Sequence, residues 1–433
     1  MEFVQELSIL DTYPLRHFRW PNGFQAMLVR NPVAPVLAYL THYTVGSATE
    51  TPQQRGLAHF FEHMMFRETA TLRDGDFDRI VAEMGGVGLN AFTSYDTTAY
   101  HVNVPSPALE AVMRLEADRM VNLRLSPELI ERERGAVLGE MHMYEDMPSE
   151  QHWNAIMAHA FPAHPYRHPI IGYSEQVAAF ADADFRAFYR HHYAPNRALV
   201  VIAGDFDEAG TLALLERYYG DLPAGEGPPP PVPPDAPPQA AQRVELAHEK
   251  VSSDSLSIAA RTPGLTHADM PALNLLSALL TAGQSSPLYR AIVLEGLGTA
   301  VSTTVMDSDF MLASPGLFLI DVSVQHGVRA EEAEETVHAE LARLRREGIA
   351  QDDVTRAVNQ LRLGLYVSVR TNMALARQVG GFALACGDPR YPERMLAQLS
   401  ALTADDLQDV LQRYLLEPPM LTVIQRPARA GAA

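Results

Sequence analysis

A proline-rich segment near the middle of the chain is the feature that most limits how this sequence can fold. The segment reads PAGEGPPPPVPPDAPPQAAQ and covers residues 223–242 of 433. Because proline has no backbone N–H, this run cannot supply the donors of a helix interior or a central strand, and an extended, semi-rigid connector is expected. The sequence therefore predicts two domains of similar size, residues 1–222 and 243–433, joined by a linker over residues 223–242.

The two parts of the chain repeat the same order of expected elements. Each begins with strand-like segments, FQAMLVRN and APVLAYLTHYTV in the first part and RVELAHEK and SDSLSIAART in the second. A helix-like segment follows in each, GLAHFFEHMMF or MPALNLLSALL, and each part ends with a helical run before a short apolar strand. This order predicts two similar α+β domains, each a mainly antiparallel sheet with helices packed on it.

Composition and charge exclude several classes of function. The chain is 47% hydrophobic and 20% charged, which is typical of a globular protein. A formal net charge of −19 argues against nucleic acid or an anionic membrane surface as partner. The sequence has no run of 18 apolar residues and no apolar signal-like region near its start, so a cytoplasmic protein without a membrane span is expected. The single cysteine, Cys386, excludes a zinc site built from cysteines.

The segment HFFEHMMF, residues 59–66, places three polar side chains in an otherwise apolar run. On a helix, His63 lies about 40° from His59, and Glu62 lies about 60° from His59 on the other side, so all three share one face. Two neutral imidazoles one turn apart can bind zinc, with the carboxylate beside them to act on a water molecule. The order H-x-x-E-H is the reverse of the commoner H-E-x-x-H. The alternative is an amphipathic helix whose histidines only make hydrogen bonds in the core.

A working zinc site of this type needs a third protein ligand. The segment SPELIERERGAVLGEMHMYEDM, from Ser126, is expected to form a helix on which Glu133 and Glu140 lie seven positions apart and share a face. Most glutamates on a helix are solvated, so the spacing alone does not make either of them a ligand. His142 points away from Glu140 by about 200° and is not expected to join it.

These segments resemble the pitrilysin and insulinase family of inverted zinc peptidases, especially the short two-domain type similar to mitochondrial processing peptidase. Further stretches fit the family pattern in order: YTVGSATE, GGVGLNAFTSYDTTAYHVNVP, HPYRHPIIG, YAPNRALVVIAGDFD and LSALLTAGQSSPLY. The resemblance spans nearly the whole chain, and it implies a zinc peptidase in which two α+β domains form half of a clamshell.

The resemblance also implies roles for individual residues around one zinc ion per chain. His59, His63 and Glu140 would bind the ion, since Glu140 follows His63 after 76 intervening residues and so matches the family's glutamate ligand. Glu62 would act as general base on the attacking water. Glu133, one heptad before Glu140, would orient a histidine ligand without binding the metal.

The resemblance assigns the substrate to one strand. The stretch NAFTS, which begins with Asn90, Ala91 and Phe92, matches the family's substrate-facing edge strand. There a peptide can add as an extra strand with its main chain paired to the sheet. The expected substrate is a peptide or an unfolded segment held inside a closed chamber.

One part of the family pattern is missing from this chain. Active members carry an Arg, and a Tyr seven residues later, in the second half, where both donate to the scissile carbonyl oxygen. In the matching segment, residues 285–303, Val293 falls at the Arg position and Ala300 at the Tyr position, and neither can donate a side-chain hydrogen bond. Tyr289 and Arg290 lie nearby but out of register. The resemblance therefore implies the zinc-bearing subunit of a heterodimer whose homologous partner carries the Arg/Tyr pair.

Two other interpretations stay open at this stage. A catalytically silent scaffold of the same fold is one, as in the respiratory-complex core subunits that resemble this family, although the intact set of His59, Glu62, His63 and Glu140 argues against it. A chance histidine pair in an unrelated two-domain protein is the other.

Overall fold

The computed structural model describes residues 1–227, 235–236, 238–306 and 315–428. These residues fall into two compact units, which we call the first and second units. The first takes the described residues within Met1–Met141, Pro169–Val232 and Ser368–Arg390, and the second takes those within His142–His168, Pro233–Val367 and Tyr391–Ala433. Within the predicted linker, residues 228–234 and 237 lie outside the described residues.

The first unit contains a seven-stranded sheet. Its strands are β1 (Glu2–Ile9), β2 (Tyr13–Arg19), β3 (Gln25–Arg30), β4 (Val36–Tyr43), β5 (Val87–Thr93), β6 (Thr98–Pro105) and β7 (Ala198–Gly204). They lie in the order β1-β2-β3-β7-β4-β6-β5, and the pairings are antiparallel except between β3 and β7. Strand β5 therefore lies at an edge of this sheet.

The second unit contains a five-stranded sheet. Its strands are β8 (Gln242–His248), β9 (Ser255–Thr262), β10 (Gly298–Met306), β11 (Gly316–Val324) and β12 (Leu421–Pro427). Their order is β8-β12-β9-β11-β10, with β8 and β12 parallel and the other pairs antiparallel. The first sheet contains the same pattern in β3-β7-β4-β6-β5, which confirms the predicted repeat and the α+β class.

The described residues form fourteen α-helices. They are α1 (Leu57–Met64), α2 (Asp76–Glu83), α3 (Leu109–Asn122), α4 (Pro127–Glu145), α5 (Pro148–Ala160), α6 (Ser174–Ala179), α7 (Asp182–His192), α8 (Glu208–Tyr219), α9 (Met270–Thr281), α10 (Ala330–Glu347), α11 (Gln351–Ser368), α12 (Asn372–Cys386), α13 (Tyr391–Leu399) and α14 (Ala404–Val410). None of the helices in this part of the chain is long and apolar enough to cross a membrane.

The first sheet is covered on both faces. On one face, α1, α3 and α7 contribute to a large core with side chains of the central strands, including Tyr39, Tyr100 and Ile202. On the other face, α12 packs Leu375 and Val379 against the central strands. In the second unit, α9, α10 and α14 form the main core with β9, β11 and β12.

The chain crosses between the two units in a way that the sequence analysis did not anticipate. Helix α12 follows the proline-rich segment in sequence, yet it packs on β4 and β7 of the first sheet. Helix α5 precedes that segment, yet it packs on β9 and β12 of the second sheet. In each case the helix covers a sheet face that would otherwise be exposed. Helix α12 does so with apolar side chains such as Leu375 and Val379, whose burial favours the packing.

Candidate metal centre

The helix that carries the histidine motif, α1, is anchored at its first turn by a buried carboxylate. Glu50 is buried and accepts the backbone N–H groups of Gly56 and Ala58 at 3.0 and 2.7 Å. These bonds satisfy donors that a helix leaves free at its N-terminus. Gly56 has φ 102°, and a Cβ there would lie 2.6 Å from the carbonyl oxygen of Ile171, so glycine is required. The start of α1 is therefore fixed in space.

Helix α1 is amphipathic as predicted. Phe60, Phe61 and Met64 are fully buried in the core of the first unit, whereas the side chains of His59 and His63 keep partial exposure. Phe61 stacks on the ring of Phe188 in α7, which holds the apolar face of α1 in place. The three polar groups of the motif therefore lie on one face of a helix whose other face is packed.

The structure brings His59, His63 and Glu140 together. Glu140 lies on α4, and its Oε2 atom is 3.2 Å from Nε2 of His63 and 3.8 Å from Nε2 of His59. One ligand atom from each of the three side chains lies within 4.8 Å of the other two. In the part of the chain that the structure describes, this is the one group of His, Cys, Asp or Glu side chains with such geometry.

The residues present fit a zinc ion. Two imidazole nitrogens and one carboxylate oxygen are the donor set of many catalytic zinc sites, which keep a further position for water. Buried polar atoms near this set also lack hydrogen-bond partners, namely Nδ1 of His59 and Oε2 of Glu133. Nε2 of His59 and Nε2 of His63 are the nitrogens that face Glu140. The unpaired Oε2 of Glu133 faces the other nitrogen of His63, as expected for a carboxylate that supports a histidine ligand.

Glu133 lies beside this set and does not belong to it. It is 3% exposed, and its Oε2 atom is 3.9 Å from Nδ1 of His63. Its other oxygen, Oε1, lies 2.9 Å from Nε of Arg67 and 3.4 Å from Nε of Arg132. Arg67 Nε makes no well-aligned hydrogen bond despite that short distance, so the contact is an ion pair. Glu133 thus lies near Nδ1 of His63, while Nε2 of the same ring faces Glu140. This arrangement suits a residue that orients the His63 ring without binding the metal.

Glu62 contacts the end of β5 and lies close enough to His63 and Glu140 for their charges to act on it. Its Oε2 atom accepts a hydrogen bond of 2.6 Å from the hydroxyl of Thr93, the last residue of β5. Burial raises the pKa of Glu62, while the hydrogen bond from Thr93 and the neighbouring His63 act in the opposite direction. A half-buried carboxylate with a raised pKa beside a metal-ligand set is a typical arrangement for a general base.

The two histidines differ in their electrostatic surroundings. Burial lowers the pKa of His59 to about 4, and the nearby imidazole of His63 acts in the same direction. For His63, burial also lowers the pKa, but the hydrogen bond and charge of Glu140 outweigh it, and the net shift is upward. His59 is therefore neutral near pH 7, which is the form of imidazole that binds metal ions.

The register of β5 shows which of its groups face the free sheet edge. Ser94 N–H donates to the carbonyl of Thr97 at 2.8 Å, and Thr93 pairs with Thr98. Because hydrogen-bonded and non-bonded pairs alternate in antiparallel sheets, the backbone groups of Ala91 and Thr93 point away from β6, towards the edge. Those of Asn90 and Phe92 are directed to β6.

The side chains of β5 also alternate between the two faces of the sheet. Ala91 is buried in the core on the α1 side, together with residues of α1. Asn90 is exposed, and Phe92 lies on the opposite face, where the guanidinium of Arg377 is 4.5 Å from its ring centroid. Of the three predicted substrate-binding residues, Ala91 thus offers its backbone at the edge, whereas Asn90 and Phe92 have side chains turned away from α1.

The positions expected for a carbonyl-binding pair lie in the second unit. Val293 is half-buried in a π-helical turn, Tyr289–Leu294, and Ala300 is an exposed residue of β10. Tyr289 is half-buried and Arg290 is exposed.

Two family models match this chain, and together they cover most of it. The insulinase domain of peptidase family M16 matches residues 28–174, and the domain described as the peptidase M16 inactive domain matches residues 180–361. The chain belongs to peptidase family M16. The predicted resemblance to the insulinase family is therefore confirmed. The first matched region contains the three candidate ligands and the two neighbouring glutamates, namely His59, His63, Glu140, Glu62 and Glu133.

Several M16 relatives match nearly the whole chain. An uncharacterized zinc protease of Streptomyces coelicolor is 29% identical over 95% of this chain and 89% of its own length. The mitochondrial-processing peptidase subunit beta of Blastocladiella emersonii is 26% identical over 97% of this chain and 90% of its own length. The crystal structure of a protease from Helicobacter pylori has the same fold, with a TM-score of 0.87, 24% identity, and coverage of 95% of this chain and 99% of that one.

Three residues at this site were not identified from the sequence: Glu50, Arg67 and Thr93. The alternation of β5 places Thr93 on the same face as Ala91, so Thr93 could have been found once the facing side of the strand was known. Glu50 and Arg67 have no comparable signal, because their partners are set by how α1 and α4 pack.

Proposed function

We propose that this M16 chain is a zinc endopeptidase subunit that hydrolyses peptides or unfolded segments. The observation that carries the proposal is the convergence of His59, His63 and Glu140, with Glu62 beside them at the edge of a sheet. A zinc ion held there would polarise the scissile carbonyl and lower the pKa of the attacking water. A zinc peptidase site also needs a general base that takes a proton from the attacking water. In this proposal the base is Glu62.

Glu62 has the position and chemistry for proton transfer. As a carboxylate it accepts the proton of the attacking water, and as a carboxylic acid it returns that proton to the leaving amine. Its Oε2 atom accepts a hydrogen bond from the hydroxyl of Thr93, and the backbone N–H of Thr93 also acts on the carboxylate. The raised pKa of Glu62 makes the carboxylate a stronger base than an exposed glutamate.

The free edge of β5 is the proposed binding surface for the peptide. An extended peptide can pair with the edge through its main chain, and pockets for side chains then add specificity. Ala91 offers its backbone groups for this pairing, and Thr93 continues the edge next to Glu62. The scissile bond is thereby brought beside the base.

We further propose that a homologous subunit completes the active site. Val293 and Ala300 cannot donate hydrogen bonds to the oxygen that gains negative charge. Loss of one such donor costs about 3 kcal/mol in comparable sites, so this chain alone should be a poor catalyst. A heterodimer with a chain that carries the Arg/Tyr pair would supply both donors. A cytoplasmic location stays a prediction from the sequence.

A catalytically silent scaffold is the second candidate. It is favoured by the absence of donors at Val293 and Ala300 and by the match of residues 180–361 to a domain described as inactive. The chain is tested alone and together with each homologous chain of the same organism. If it binds zinc but hydrolyses no peptide in any of these experiments, the scaffold is supported.

The test combines metal content with cleavage of a fluorogenic peptide. The wild-type chain should bind one zinc ion, cleave slowly alone and cleave rapidly with its homologous partner, and a chelator should stop cleavage.

Glu62→Gln should keep the zinc and lose hydrolysis, since its carboxylate acts on water. Glu140→Gln should weaken zinc binding itself, because one of the three proposed protein ligands is replaced. Full activity of the isolated chain would contradict the heterodimer, and zinc loss in Glu62→Gln would contradict the assigned base.

A further inference from the structure

One side chain joins the edge strand to the proposed base. Thr93 ends β5, and its hydroxyl donates to Oε2 of Glu62 at 2.6 Å. The backbone N–H of Thr93 also acts on this carboxylate, and no other side chain among the described residues donates a hydrogen bond to it. The orientation of the Glu62 carboxylate therefore depends on the position of β5.

The turn that follows Thr93 is itself held firmly. The hydroxyl of Thr97 donates to the carbonyl of Tyr43 at 2.8 Å, and that of Thr98 donates to the carbonyl of Val45 at 2.9 Å. The two bonds tie the β5–β6 turn and the start of β6 to the end of β4 and the residues just after it. The sheet therefore holds Thr93 in place. A hydrogen bond from its hydroxyl can restrict the orientation of the Glu62 carboxylate.

We propose that Thr93 is a positioning residue that aligns Glu62 with a peptide bound at the β5 edge. The inference rests on the proposed function and extends it. The hydroxyl uses its single proton on Oε2, so this bond helps to set the direction in which the carboxylate meets the attacking water. Because the backbone of Thr93 also forms part of the edge, one residue sets both the line of the substrate main chain and the direction of the base.

Two substitutions separate this role from a purely structural one. Thr93→Val keeps the shape and the β-branched side chain but removes the donor, and Thr93→Ser keeps the donor. Thr97→Val is the matched control, since it removes a threonine hydrogen bond from the same turn without touching Glu62. All variants are compared as the zinc-loaded chain with its homologous partner.

Thr93→Val should lower kcat about tenfold to a hundredfold, as expected for loss of a hydrogen bond to a charged group. Its KM should stay within about twofold of wild type, and its zinc content should be unchanged. Thr93→Ser should recover most of kcat, and Thr97→Val should reduce thermal stability without this fall in kcat. A Thr93→Val enzyme with wild-type kcat, or with reduced zinc content, would overturn the proposal.

A second readout does not need turnover. The affinity of a peptide hydroxamate, whose N–H and O–H groups need an acceptor beside the metal, is measured by calorimetry on the zinc-loaded proteins. Thr93→Val should weaken this binding about tenfold, and Thr93→Ser should not. If wild type binds zinc and hydroxamate but cleaves nothing, the proposed function fails while Thr93 is still judged by these affinities. Equal affinities of wild type and Thr93→Val would refute the role of Thr93 alone.

Discussion

At the scale of single residues, the candidate centre depends on charges behind the ligands. Glu133 is almost completely buried, and a buried carboxylate is costly unless a cation compensates it. Arg67 lies 2.9 Å away and also pairs with Asp74 at 3.4 Å, so the ion pair is part of a short network. The zinc affinity of this chain should therefore depend on Arg67, although Arg67 is not a ligand.

Replacement of Arg67 tests this dependence. Arg67→Met should weaken zinc binding about tenfold or more, since Glu133 loses its nearest cation and no longer holds His63 well. Arg67→Lys should restore part of the affinity. Arg79→Met is the control, because among the described residues Arg79 forms its ion pairs with Asp76 and Glu83, on the exposed side of α2. Zinc affinity is measured by competition with a chelator, and identical constants for Arg67→Met and wild type would show that the network is irrelevant to the metal.

At the scale of secondary-structure elements, the position of α1 relative to β5 matters most. The N-terminus of α1 is set by Glu50 and by the close approach of Gly56 to Ile171. Gly75, the residue before helix α2, also has a positive φ, of 79°, but a Cβ there would meet nothing within 4 Å. The two glycines therefore share the backbone requirement and differ in the available space.

Substitution of each glycine separates these two effects. Gly75→Ala should cost about 1 kcal/mol for the left-handed backbone alone. Gly56→Ala should cost at least about 2 kcal/mol more, because the new Cβ displaces Ile171 or moves α1. Equilibrium denaturation measures the cost, and a zinc titration should show weaker binding only for Gly56→Ala. Equal effects of the two changes on stability and on zinc would rule out a special constraint at α1.

Strand addition at β5 makes a prediction about the substrate. A series of model peptides, each with one N-methylated amide, removes one donor at a time. If the peptide pairs with the β5 edge, KM should rise at every second position, since alternate amides face the partner strand. Peptide cleavage by the chain with its homologous partner supplies the measurement. A uniform KM across positions would mean that the substrate is held by its side chains.

At the scale of the whole molecule, helix α12 comes after the linker in sequence but packs in the first unit. There it covers a buried histidine. His42 of β4 is fully buried, and neither ring nitrogen has a hydrogen-bond partner among the described residues. Gly380 of α12 lies against this ring, and a Cβ there would be 2.6 Å from it. Burial lowers the pKa of His42 to about 3, and the positive charge of Arg377 and the imidazole of His101 act in the same direction.

This histidine should make the fold sensitive to acid. The pKa of His42 in the folded state lies below its unfolded value of 6.5, so the unfolded state binds more protons below that pH. The stabilising effect is present above pH 6.5 and is lost as the pH falls towards 3, by about 1.4 kcal/mol per pH unit. His42→Leu should flatten the fall of unfolding free energy between about pH 6.5 and 5 by this amount. Denaturation curves with the same slope against pH for both proteins would contradict the prediction.

Several features of the molecule followed from the sequence alone. The strand segments and the helix segments of both halves were predictable from their local periodicity, and their repeated order led to two sheets with a common five-strand pattern. The H-x-x-E-H face was predictable from helix geometry, and the assignment of Glu140 needed the family resemblance. These features depend on local sequence patterns or on the order of segments along the chain. They can therefore be predicted without knowing which segments pack against each other.

Tertiary structure decided the features that depend on distant segments. The exchange of α5 and α12 between the units follows from which sheet faces were left uncovered, and no local pattern in either helix specifies its sheet. Likewise, Thr93 meets Glu62, and Arg67 meets Glu133, only because β5 and α4 pack beside α1. The sequence by itself determined the elements, their order and the face of α1 that carries the candidate ligands. The partners of that face depended on packing, because a single hydrogen bond or ion pair between distant residues leaves no periodic trace in the chain.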